Sequence, residues 1–118
     1  MSDPGTTGVI LNRGGVALVI TANNVSDFDQ QIELEVFSVP VSSIPVAKVG
    51  AAHQLFTVPP QTVVTRKFDI TGFPAWEFQA STPLNLNVFA TDAAGNLIAA
   101  ERVLDSEAYE IAALTPMP

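Results

Sequence analysis

Alternation with a period of two, broken by turn formers about every 8–14 residues, constrains this chain more than any other feature. It is clearest in residues 84–104, LNLNVFATDAAGNLIAAERVL. Leu84, Leu86, Val88 and Ala90 fall on one face of an extended chain, with Asn85, Asn87 and Thr91 opposite. That pattern suits a pleated strand with one buried face. DAAGN between the two arms reads as a hairpin turn. Asp92 starts it, and Gly95 or Asn96 supplies the positive φ that a four- or five-residue loop needs.

The same style recurs along the chain. Residues 16–23 (VALVITAN) form a strand ended by Asn23, Asn24, Ser26 and Asp27. In residues 31–39, Ile32, Leu34 and Val36 alternate with Glu33 and Glu35, while Phe37 and Val39 keep the outward parity and call for cover there. Pro40 and Pro45 lack an amide donor, which places their connection at an edge or in a loop. Residues 53–58 end at Pro59–Pro60, and residues 62–70 follow as a β-branched strand. In residues 75–81, Trp76, Phe78 and Ala80 face the core, opposite Glu77, Gln79 and Ser81. Residues 105–114 fit a helix start (Ser106, Glu107, Glu110) and an extended continuation equally well.

Seven to nine short strands are therefore expected, in an all-β, two-sheet antiparallel β-sandwich of jelly-roll or immunoglobulin-like type. The two cysteines that flank a tryptophan in true immunoglobulin domains are missing. Residues 1–15 stand apart as a flexible amino-terminal arm, and residues 16–118 form one sandwich domain. At 118 residues the domain buries roughly two thirds of its unfolded surface without staples.

Charge excludes several roles. Only 14% of residues are charged, against about 25% in a typical domain, so the surface relies on amides, hydroxyls and small apolar groups. That suits packing against copies of the same chain. The net charge of −7 leaves no basic stripe for phosphates, so nucleic acid and anionic membranes are disfavoured as partners. No apolar run approaches the roughly 20 residues of a membrane span. MSDPGTTG has neither a basic region nor an apolar core, and so does not read as a secretory signal. Without cysteine there are no disulfides, thiolates or cysteine metal sites.

Candidates for chemistry each have a plainer role. His53 as a general base lacks a motif that supplies a nucleophile. Asp27 and Asp29 beside Asn23 and Asn24 collect oxygen ligands, but their spacing matches no defined calcium loop, and such residues favour turns. Glu33 and Glu35 lie about 7 Å apart along a strand, within range of a glycosidase pair, yet read as ordinary solvated residues. No catalytic set, metal or cofactor is expected. Phe89 has the polar-face parity of Asn85 and Asn87. It is either a contact residue or is turned inward by a bulge.

The arm carries the sharpest expectation. Val9, Ile10 and Leu11 form an apolar trio between Gly8 and the Gly14–Gly15 pair, which act as hinge. Such a segment adds as a strand to a neighbour's open sheet edge, or forms the first strand of its own sandwich.

Residues 86–107 are also similar to small β-sandwich proteins of spore-forming Firmicutes. There a pattern like V-F-x-x-D-x-x-G-N-L-x-x-x-x-R-V-L-x-S-E is matched here by Val88, Phe89, Asp92, Gly95, Asn96, Leu97, Arg102, Val103, Leu104, Ser106 and Glu107. The preceding FTVPPQTVVTRKFDITG resembles that group's strand, proline-marked turn and strand. The likeness implies a spore-surface fibre subunit of the endospore-appendage kind, which polymerises by donating an amino-terminal arm. Lacking cysteine, this chain departs from those subunits' inter-subunit disulfides. The expectation is a non-enzymatic subunit that assembles with copies of itself into an extracellular or spore-associated filament. The alternative is a monomeric module binding carbohydrate or a surface protein.

Overall fold

The computed structural model describes residues 4–81 and 85–116. Among these, ten strands occur in the order β1 (Gly5–Thr6), β2 (Ile10–Leu11), β3 (Ala17–Asn24), β4 (Gln30–Val39), β5 (Val49–Val58), β6 (Thr62–Asp69), β7 (Ala75–Ala80), β8 (Asn85–Thr91), β9 (Leu97–Val103) and β10 (Tyr109–Glu110). They make an antiparallel β-sandwich. One sheet runs β10-β1-β7-β4-β5, with β2 also on β7; the other runs β6-β3-β8-β9. The count exceeds seven to nine because β1, β2 and β10 are only two residues each, too short for alternation to show.

Parity carries the core. Leu18, Ile20 and Ala22 of β3, with Leu86, Val88 and Ala90 of β8, face Ile32, Leu34 and Val36 of β4 and Trp76, Phe78 and Ala80 of β7. All are at most 3% exposed. Each fully buried large aliphatic or aromatic side chain contributes roughly 1.5–3 kcal/mol. Leu84, expected on the same face as Leu86, lies outside the described residues. Where β5 and β6 flank the gap between the sheets, the Arg66 guanidinium stacks 4.4 Å from the centre of the Phe56 ring.

Local chemistry sets the connections. Asp92 Oδ1 accepts from the amides of Ala94 and Asn96 at 3.0 and 2.9 Å, and Gly95, at φ +84, supplies the left-handed residue. Strand β5 starts at Val49, four residues earlier than expected, because pairing with β4 continues past a bulge at Val36/Phe37. The ambiguous carboxy-terminal stretch becomes a 3₁₀ turn, Asp105–Glu107, followed by β10. Among the described residues no helix is long and apolar enough to cross a membrane.

Candidate functional site: the arm and the outer face of the larger sheet

The arm lies along β7. Gly5 and Thr6 pair with Ala80 and Gln79, and Ile10 and Leu11 pair with Trp76 and Ala75. Between the two pairings the arm holds one residue more than β7, a bulge taken up at Gly8, whose φ is +70. Thr7 turns inward there: its amide donates to the Phe78 carbonyl at 2.9 Å, and its Oγ1 accepts from the Phe78 amide at 3.0 Å. Within the apolar trio only Ile10 packs on the core; Val9 and Leu11 are 56% and 50% exposed.

The exit from the arm is built on Asn12. Its amide donates to Pro74 O, its Nδ2 to the carbonyls of Gly15 and Ile70, and its Oδ1 accepts the Gly15 amide. Gly14 sits in open space at φ +83. Gly15 is needed for a different reason, close approach: a Cβ there would meet Asn12 Oδ1 at 2.6 Å and Ala90 and Ile70 at 3.2 Å. The Arg13 amide donates to Glu101 Oε2 at 3.0 Å, and the Trp76 indole donates to Glu101 Oε1 at 2.8 Å. Glu101 is 1% exposed, so one β9 carboxyl ties the arm's exit to β7 across the sandwich.

The outer face of the larger sheet departs from the sequence expectation. Glu35, expected to be solvated, is 2% exposed. The reason is cover on both sides: it stands across from His53 of β5 and Gln79 of β7. Its Oε1 has no hydrogen-bond partner, and burial pushes its pKa above the ordinary carboxylate value, with the charge of His53 opposing. Phe37 obtains the cover its parity called for from Lys48, whose Nζ lies 5.0 Å from the ring centre.

Glu77 is the partnered counterpart. Lys48 Nζ contacts its Oε1 at 2.6 Å, while Thr6 Oγ1 and Gln79 Nε2 donate to its Oε2. Burial pushes its pKa up, but the hydrogen bonds from Lys48, Thr6 and Gln79 outweigh that and hold it below the ordinary value. Thr6 belongs to the arm, so this carboxylate also anchors β1. Beside it, Val9, Val39, Val46, Ala47, Lys48, Glu77 and Thr115 line an open depression of about 500 Å³.

The remaining candidates resolve into plain roles. His53 Nε2 lies 2.6 Å from Glu33 Oε2 on the solvent side, and among the described residues no hydroxyl is hydrogen-bonded to its ring. Asn24 organises the Asp27–Asp29 loop, its Nδ2 donating to the carbonyls of Phe28, Val58 and Pro59 and its Oδ1 accepting from Ser26. Among the described residues no group of three or more His, Cys, Asp and Glu side chains is arranged to hold a metal ion. Phe89 stays half-buried on the outer face of the smaller sheet, between Val19 and Arg102.

The burial of Glu77, Gln79 and Glu101 goes beyond what the sequence pattern leads one to expect. Only Glu101 had a usable signal, since it shares the inward parity of Val103. Comparison with family models, curated proteins and solved structures found no match for this chain.

Proposed function

We propose that this chain is a non-enzymatic structural subunit that joins copies of itself into an extracellular or spore-associated filament by handing its amino-terminal arm to a neighbour. The observation that carries the reading is the arm's attachment. It consists of two short strands, β1 and β2, laid along the edge of β7, and a neighbour's arm would meet the same pairing groups there. Gly8 and Gly14, both at positive φ, give the backbone the freedom to redirect the arm at either end of the trio. Low charge density and the likeness to spore-surface fibre subunits point the same way. Without cysteine, such a filament is held by strand pairing and packing alone.

Deleting residues 1–15 is expected to abolish assemblies seen by negative-stain microscopy. A synthetic peptide of residues 4–15 should then bind the shortened chain in the vacant β7 position. Unchanged assemblies would end the reading. So would a full-length chain that stays a compact monomer, which would favour a binding module using the depression beside Lys48 and Glu77.

A further inference from the structure

We infer that the carboxy-terminal segment from Tyr109 to Thr115 is a latch that holds the arm on its own subunit and must release before the arm can pass to a neighbour. This rests on the assembly reading above. Strand β1 is not a free edge, because β10 pairs along its other side, with Gly5 opposite Glu110 and Thr6 opposite Tyr109. The Ile111 amide adds a bond to the Pro4 carbonyl at 2.9 Å.

The chain then returns to β7. Thr115 donates its amide to Gln79 Oε1 at 2.8 Å, and Gln79 Nε2 donates to Thr115 Oγ1 at 2.9 Å. Gln79 is the residue paired with Thr6, on the sheet's outer face. Running from outside β1 to the far side of it, residues 111–115 pass over the arm as a strap. Thr115 duly shares the wall of the depression with Val9. At the bulge, the Tyr109 ring covers Gly8: a Cβ on Gly8 would lie 3.6 Å from Tyr109 Cε2.

The latch is also built to open. Strand β10 has two residues, both exposed, and Tyr109 keeps 66% of its surface. Few apolar groups are buried, so its release disturbs little else, as expected of a local opening unit. Each net hydrogen bond lost changes such an opening equilibrium by roughly fivefold.

The test is native-state hydrogen exchange on the dilute chain, read at the Thr7 and Asn12 amides, which bond to Phe78 O and Pro74 O. Truncation after Ala108 should lower their protection at least about tenfold, with β3 and β8 amides unchanged and the lag before assembly by light scattering shortened. Ile111→Pro, which removes the donor to Pro4 and leaves the rest of the segment in place, should act in the same direction more weakly. If truncation also loosens β3 and β8, Ile111→Pro decides alone. Unchanged arm protection overturns the latch whatever happens to assembly. Lower arm protection with assembly unaffected by deleting residues 1–15 would keep the latch and end strand donation.

Discussion

Glu101→Ala is expected to destabilise the fold by about 3 kcal/mol, lowering the melting temperature by roughly 10 °C. The carboxyl group is 1% exposed and accepts from two donors, the Trp76 indole and the Arg13 amide. Truncation orphans both. An unsatisfied buried donor costs about 1–3 kcal/mol, and the indole, fully enclosed between the sheets, bears the upper end of that range. The Arg13 amide lies nearer the surface, where water replaces part of the lost bond. Glu101→Gln keeps one acceptor oxygen for Trp76 and should cost roughly half as much. Trp76 is the only tryptophan, so its fluorescence reports the site directly during a thermal melt. A Glu101→Ala protein that melts within a degree or two of the parent would show that the cross-sheet tie contributes nothing.

That tie marks where the sequence was legible and where it was not. Period-two parity located the inward faces of β4, β7 and β8, because a half-buried strand must alternate and each misplacement would bury a polar group or expose an apolar one. Parity also left a mark at Glu101, which sits on Val103's face, although a single inward glutamate in AERVL looks like noise without its partners. The other polar burials left none. Glu35, Glu77 and Gln79 have outward parity and look solvated; Lys48, the arm and the carboxy-terminal strap converge on Glu77 and Gln79, and Glu35 lies between His53 and Gln79. Those partners lie up to 71 positions away in the sequence. Cover on a sheet's second face is a tertiary event, and alternation is silent about it.

The short strands were hard to read for a related reason. β1, β2 and β10 owe their extended form to the neighbours they pair with, since two residues cannot display a period. The arm was visible by composition, through glycines around an apolar trio. Its resting place on β7, with Thr7 rather than Val9 buried beside Phe78, depended on the bulge at Gly8. Sequence thus indicated which segment was distinct, and pairing decided where it lies.

Glu77→Gln and Glu35→Gln, nearly isosteric changes on neighbouring strands of one face, should move stability in opposite directions at pH 7. Glu77 holds Lys48, Thr6 and Gln79, so neutralising it leaves Lys48 without its counter-ion. Lys48 keeps about a third of its side-chain surface, which reduces the loss from that of a fully buried pair to about 2 kcal/mol. Glu35 is buried with an oxygen unpartnered, so removing its charge should gain about 1 kcal/mol. The pH dependence follows from the same two directions. Glu77's pKa is depressed on folding, so its stabilisation is present above the ordinary value of 4.5 and is lost as pH falls below that through the folded pKa. Glu35's is raised on folding, so the folded chain takes up its proton first, and stability climbs as pH falls through the folded pKa towards 4.5. The two together place a stability maximum on the acid side of neutrality, between the two folded pKa values. Urea unfolding followed by Trp76 fluorescence across pH 3.5–7 tests this. Glu35→Gln should remove the climb towards acid, and Glu77→Gln should remove the fall beyond it. If both variants shift stability in the same direction at pH 7, the contrast between a partnered and an unpartnered buried carboxylate is wrong.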